Sequence, residues 1–269
     1  MDDIIGYMQN LLISEPLREP VLKNALFSLN LPADSKGLDV GCGLGMVTRL
    51  LASMIGSGGH VIGLDTNPVF IEQGRSLADQ TDCGQKIAFQ VGDASQLPWG
   101  DNTFDWACSV DFVGYGSLNT TDLLRELVRV VKPGGIVFIM AWSSQMLLPG
   151  YPFLEAGLNA TPSGMAPFST GIDPAQHFLR GRSWFSQAGL PDAQARTFVG
   201  SINAPLSSEL RSAIIDLIQM RWGNGEPRLS ADMRQEYQRL TTAESPDFIL
   251  NIPEYYAFFT YTMIYATVL

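Results

Sequence analysis

The stretch "GLDVGCGLGMVTRLL", residues 37–51, sets Gly41, Gly43 and Gly45 at alternate positions between a short apolar run and a helical pattern. Val47, Leu50, Leu51, Met54 and Ile55 follow at i, i+3, i+4, i+7 and i+8, the spacing of one helix face. A strand that turns through glycine into a helix predicts a crossover unit of a parallel sheet. Missing side chains at such a turn also let a ligand approach main-chain N–H groups near the helix start. Glycines that merely tighten the corner are the simpler alternative for this stretch taken alone.

Outward from the turn, strand and helix patterns alternate. "HVIGLD" (60–65) reads as a second strand, "PVFIEQGRSLAD" (68–79) as a second helix, "KIAFQVGD" (86–93) as a third strand and "TFDWACSVD" (103–111) as a fourth. Leu123, Leu124, Leu127, Val128 and Val131 mark a further helix, which "KPGG" (132–135) is expected to stop before a fifth strand, "IVFIMAW" (136–142). This alternation predicts an α/β fold, doubly wound, with helices on both faces and ligands at the carboxyl ends of the strands.

The flanks read differently. Residues 3–29 look helical, with Val21, Leu22, Ala25, Leu26 and Leu29 on one side. Residues 143–180 are rich in proline, glycine and serine with scattered aromatics, too long for a simple connection and therefore a candidate lid. A short helix at "SWFSQAG" (183–189), a strand at "ARTFVGSINAPL" (195–206), a helix from Ser207 as N-cap to Gly223 as stop, and a helix over 230–241 precede the tail "YYAFFTYTMIYATVL" (255–269), read as a buried strand. The expected division is an N-terminal helical segment (1–30) covering the ligand site, a core (31–142), a lid insertion (143–182) and a completion of the sheet (183–269) with a helical cap insertion at about 207–241.

The 269 residues, 46% of them hydrophobic, suffice for one large core. The net charge of −10 comes from scattered acids, and nothing offers a footprint for phosphate backbones, so nucleic acid is not an expected partner. Cys42, Cys83 and Cys108 have no paired spacing for a disulfide framework or a zinc site, no metal is expected, and a reducing cytoplasm fits best. The start of the chain carries no basic region followed by an apolar core, and the apolar tail is too short to span a bilayer, so neither secretion nor membrane insertion is expected.

Five segments in order carry a resemblance: "LDVGCGLG" (38–45), "VIGLDTNP" (61–68), "FQVGDASQLPW" (89–99), "FDWACSVD" (104–111) and "LVRVVKPGGIVFI" (127–139). Over roughly residues 36–141 the chain resembles the class I S-adenosylmethionine-dependent methyltransferases. The resemblance implies a Rossmann-like, mostly parallel seven-stranded sheet with a helical cap or lid, and S-adenosylmethionine as cofactor. By the same resemblance, Asp39, Gly41, Cys42, Gly43 and Gly45 face the methionine part of the cofactor, Cys42 through its backbone. Asp65, with Thr66 beside it, binds the ribose hydroxyls, and Asp93 with Ala94 meets the adenine. A carboxylate can accept two hydrogen bonds from a vicinal diol, and an amino group needs an acceptor. Asp65 or Asp93 could instead cap the turn that follows it.

A dinucleotide fingerprint would require glycine where this chain has Met46, which argues against a nicotinamide-dependent oxidoreductase of Rossmann type. A catalytically silent S-adenosylmethionine-binding protein is the non-enzyme alternative. Within the family the pattern is similar to the quinone-biosynthesis and natural-product branch that methylates small molecules. Aromatic insertions around the core suggest a small, partly apolar acceptor as partner, while a homo-oligomer is left open. Transfer to oxygen would also want a base. The base candidate is His177, after the lid, while Asp111, ending the fourth strand, would border the methyl-transfer centre or be a solvated loop carboxylate. His60 leads into the second strand at the wrong end of the sheet, and Tyr7 and Tyr151 are weaker candidates.

Overall fold

In the computed structural model of the protein, residues 2–113, 119–166, 173–223 and 226–269 are described. Seven strands, β1 (Lys36–Val40), β2 (His60–Asp65), β3 (Ile87–Val91), β4 (Phe104–Val110), β5 (Val131–Met146), β6 (Gln194–Asn203) and β7 (Tyr256–Thr267), form one sheet in the order β3-β2-β1-β4-β5-β7-β6. The β1–β2, β1–β4, β2–β3 and β4–β5 pairs are parallel. Gly134 N–H donates to Val268 O, Val268 N–H donates to Gly135 O, and the Thr262 hydroxyl donates to Ser143 Oγ, so β7 retreats as β5 advances and that pair is antiparallel. The same holds for β6 and β7, joined at Thr197–Thr262 and by Ala204 N–H to Tyr255 O. The sheet is therefore mostly parallel, as the sequence predicts, with its final strand inserted between β5 and β6.

The described α-helices are α1 (Asp2–Phe27), α2 (Met46–Met54), α3 (Pro68–Ala78), α4 (Thr120–Val130), α5 (Pro152–Asn159), α6 (Pro162–Met165), α7 (Gly181–Gln187), α8 (Ser208–Trp222) and α9 (Ala231–Thr241), with short 3₁₀ turns between some of them. Their starts follow local chemistry. Asn67 and Asn119 accept from the second N–H of α3 and α4, Ser207 and Ser230 accept from the third N–H of α8 and α9, and Pro68 needs no N–H partner at the first position of α3.

Three expectations shift. Val131 and "KPGG" lie inside β5 rather than ending the preceding helix, because Val131 already pairs with Phe104, and the register shifts before the next pair, Trp106 with Ile136, with the extra residues on β5. Part of the presumed irregular stretch 143–180 is helical: β5 runs to Met146, and α5 and α6 follow. Glu155 of α5, almost wholly buried, accepts the Leu147 and Leu148 N–H groups at 2.8 and 2.9 Å, which fixes the helix under the end of β5 without an apolar period. Gly223 does cap α8, but in a right-handed conformation with φ −52°.

The chain divides into two units. One comprises residues 21–143, 174–198 and 261–269. Its core joins Leu38, Val40 and Leu64 of the sheet to Leu124 and Leu127 of α4 and Ile264 of β7. The other comprises residues 1–20, 144–173 and 199–260. Inside it, Tyr255 donates to Leu147 O at 2.9 Å and Trp222 Nε1 donates to Asn159 Oδ1 at 3.0 Å.

Candidate functional site

From β1 the chain passes to β2 and β3 on one side of the sheet and returns to β4 and β5 on the other. The order therefore reverses between β1 and β4, where a crevice opens beyond the strand ends in sheets of this kind. Residues after β1, β2 and β4 belong to this place, all within the first unit.

The turn after β1 is left-handed at Gly41 (φ 72°), Gly43 (φ 54°) and Gly45 (φ 75°). A side chain at Gly41 would run into the Phe112 ring, and one at Gly45 into the Phe89 ring, whereas a Cβ at Gly43 would meet nothing within 4 Å. Two of the glycines thus serve packing, and Gly43 alone faces open space.

The turn's own N–H groups are engaged inside the protein. Gly41 and Cys42 both donate to Leu64 O (2.8 and 3.0 Å), Gly43 donates to Asp65 Oδ2 (3.0 Å) and Gly45 donates to Cys42 O (2.8 Å). This corrects the expectation that the first amides of the turn face a ligand: they bind β1 to β2. What the turn leaves open is the bare Cα of Gly43, with the Asp65 carboxylate beside it.

Asp65 accepts from Gly43 N–H on one oxygen and from Asn67 N–H, at 2.9 Å, on the other. A carboxylate offers about four lone-pair sites, so two remain for a diol. Asp93, after β3, is exposed and accepts from Ser95 N–H at 2.8 Å, which holds its carboxyl below the usual carboxylate range. Both acids therefore perform the local capping role that the sequence left open, with capacity to spare. Ala94 is buried beside Asp93, and Thr66 lies between Asp65 and the N-cap Asn67.

Asp39 is the buried member, at 1% exposure. Thr48 Oγ1 of α2 donates to its Oδ2 at 2.7 Å and Cys108 Sγ of β4 donates to its Oδ1 at 3.6 Å, so it ties β1, α2 and β4 together behind the glycines. Burial pushes its carboxyl up to about 6, and the negative Asp65 nearby adds to the effect. Burial likewise raises the Cys42 and Cys108 thiols well above the ordinary range, which fits inert packing groups.

At the far wall, Asp111 follows β4 with φ 53°, a conformation non-glycine residues rarely adopt. Its N–H donates to Met140 O at 2.8 Å; its carboxylate accepts from Trp142 N–H at 3.1 Å and from the Tyr261 hydroxyl at 2.7 Å. The Trp142 and Tyr261 rings meet edge to face at 5.7 Å. His177 caps a short 3₁₀ turn, its Nδ1 accepting from Leu179 N–H at 3.3 Å. His60 begins β2 at the amino end of the sheet, as expected.

The remaining motif residues build the frame. Glu126 and Arg129 of α4 hold the Leu97–Trp99 turn through Leu97 N–H, Leu97 O and Trp99 O, and Asp105 accepts from Lys36 N–H and Lys132 Nζ, both at 2.7 Å. Tyr261, Trp142, Phe112 and Thr48 are the residues that sequence reading passed over. Only the tyrosines and threonines threaded through the tail strand, whose hydroxyls need partners when buried, carried any signal.

Among the described residues no cluster of metal-binding side chains occurs and no helix is long and apolar enough to cross a membrane. Residues 38–135 match the family described as a methyltransferase domain. The chain is 37% identical over 130 residues to a demethylmenaquinone methyltransferase of Staphylococcus epidermidis, covering 47% of this chain and 51% of that protein, so it spans about half the length of that relative. It is 32% identical over 180 residues to a 2-phytyl-1,4-naphtoquinone methyltransferase of Synechococcus elongatus, covering 57% of this chain and 75% of that protein. In fold it is similar to a SAM-dependent methyltransferase from Aquifex aeolicus, with a TM-score of 0.53, 18% identity, and coverage of 71% of this chain and 90% of that one. The chain belongs to the S-adenosylmethionine-dependent methyltransferase family.

Proposed function

We propose that the protein transfers a methyl group from S-adenosylmethionine to a small, partly apolar acceptor. The observation that carries this reading is the pairing of Gly43, where a Cβ would meet only open space, with the Asp65 carboxylate held to its N–H at the switch point of the sheet. Relatives named for naphthoquinone, menaquinone and tocopherol methylation support an acceptor with a ring and an apolar tail.

The residues present fit such a cofactor. Asp65 has lone pairs left for a ribose diol, the exposed Asp93 beside buried Ala94 offers an acceptor for an adenine amino group, and Gly43 leaves room for the methionine part. When bound, the cofactor supplies a methyl group on a positively charged sulfur, already activated for displacement. Asp39 and Asp65 put negative charge around the turn, the sign that favours a sulfonium. The protein's share of the chemistry is then alignment and exclusion of water, with Asp111 or His177 to receive a proton where the acceptor releases one. A reducing cytoplasm is part of this reading, supported by three cysteines that are all free.

Calorimetry with S-adenosylmethionine, S-adenosylhomocysteine and the nicotinamide cofactors tests the reading. Binding of the first two alone is expected. Nicotinamide binding, or none at all, would overturn it.

A further inference from the structure

We propose that Asp39 selects the charged cofactor over its neutral product: ionised, its buried carboxylate favours S-adenosylmethionine over S-adenosylhomocysteine, and protonated it does not. This rests on the methyl-transfer reading above.

The argument starts from what surrounds the carboxyl. Asp39 lies in β1, the strand at which the sheet order reverses, in register with Gly63 of β2 and Cys108 of β4. It is 1% exposed and receives two side-chain donors, the Thr48 hydroxyl at 2.7 Å on one oxygen and the Cys108 thiol at 3.6 Å on the other. Both donors are neutral. Among the described residues, the titratable groups that act on it are Asp65 after β2, Cys42 of the turn and Cys108 of β4, none of which carries positive charge, and α2 presents the Thr48 hydroxyl. Buried charges in proteins are ordinarily paired. The charge of Asp39 is instead left uncompensated, and burial, with the Asp65 charge adding to it, raises the affinity of the carboxyl for a proton.

Position supplies the second half of the argument. Asp39 stands four residues before Gly43, and Thr48, just beyond the turn in α2, holds its side chain. The carboxylate therefore backs the turn whose open Gly43 is assigned to the methionine part of the cofactor. S-adenosylmethionine and S-adenosylhomocysteine share adenine, ribose and amino-acid groups, so Asp65, Asp93 and Gly43 meet the same atoms in both. They differ by one methyl group and by the positive charge on sulfur. An uncompensated carboxylate in a poorly polarisable interior reads that charge without touching it. Two unit charges roughly 12 Å apart at an effective dielectric of about 20 change one another's equilibria about tenfold.

The proton balance follows. A positive ligand favours the ionised form, so S-adenosylmethionine that binds while Asp39 is protonated drives that proton to solvent. The neutral product leaves the proton in place. Once the methyl group and the sulfonium charge are gone, the carboxylate can take a proton back from solvent. With the carboxyl at about 6 in the free protein, affinity for S-adenosylmethionine rises with pH through that value while affinity for the product stays level. A tenfold influence makes the ratio of product to cofactor dissociation constants rise about tenfold in all, and about fivefold between pH 5 and pH 7.

The test is calorimetry of the full chain with S-adenosylmethionine and with S-adenosylhomocysteine from pH 5 to pH 7, in two buffers of different ionisation enthalpy so that proton release is counted. The parent is expected to show the fivefold rise in the ratio, with about half a proton released per S-adenosylmethionine bound near pH 5.5 and none for the product. Asp39→Asn keeps an oxygen for the Thr48 hydroxyl but cannot ionise, so its ratio should stay level at the low value and its proton release should vanish. Thr48→Val removes a donor that favours the ionised form and should move the midpoint of the rise to higher pH; it decides the matter if Asp39→Asn does not fold. A ratio that is level with pH in the parent, one that still rises in Asp39→Asn, or an unmoved midpoint in Thr48→Val overturns the proposal. A parent that binds neither ligand at any pH overturns the underlying methyl-transfer reading instead.

Discussion

Replacing Asp39 by Asn should make the protein more stable relative to the parent as pH rises, by an amount the structure allows to be worked out. The buried carboxyl titrates at about 6 in the fold, against 3.8 for the ordinary group. Between those two values the folded protein binds a proton that the unfolded chain has already lost, so stability from this group is fully present below the unfolded value and is lost as pH rises through the folded one. Two pKa units at about 1.4 kcal/mol each set the total loss at about 3 kcal/mol, of which roughly 2–3 kcal/mol falls between about pH 4 and pH 8. Asn cannot ionise and retains a carbonyl oxygen for the Thr48 hydroxyl, so its contribution is flat with pH. Urea unfolding of both proteins at several values from pH 4 to pH 8 measures the difference. Changes shared by both proteins, including those of Asp93, Asp105 and Glu126, whose carboxyls are held low in the fold, cancel in the comparison. A stability difference constant to within about 0.5 kcal/mol over that range would refute the account, since it would mean that the Asp39 carboxylate is not desolvated.

Asp65→Ala should weaken S-adenosylhomocysteine binding by roughly 1.5–3 kcal/mol in calorimetry, the range for hydrogen bonds to a charged group, and unchanged affinity would remove Asp65 from the cofactor site. Gly43→Val should fold with a backbone cost on the order of 1–2 kcal/mol but lose at least about tenfold in the same affinity, because its side chain fills the open space. Gly41→Ala should be the less stable of the two in melting experiments, since its Cβ strikes the Phe112 ring; the reverse order would contradict the packing described.

The parallel half of the fold was legible because each signal is local. The glycine turn, the α2 stripe and the Ser207 cap act within a few residues, and strand–helix alternation leaves few ways to arrange a sheet. The acids after β2 and β3 were legible for the same reason, since their place at a strand end follows from sequence order. Tertiary structure decided the rest. Whether a glycine serves packing or a ligand depends on what stands opposite: Phe112 opposite Gly41, Phe89 opposite Gly45 and nothing opposite Gly43. The turn's amides were misread because their acceptors, Leu64 O and Asp65, come from the neighbouring strand. Asp39 is buried only once α2 and β4 close over it, and its proton affinity follows from that burial. Tyr261 reaches Asp111 only because the last strand inserts antiparallel between β5 and β6, a pairing fixed by long-range hydrogen bonds and packing that no local period in the chain encodes.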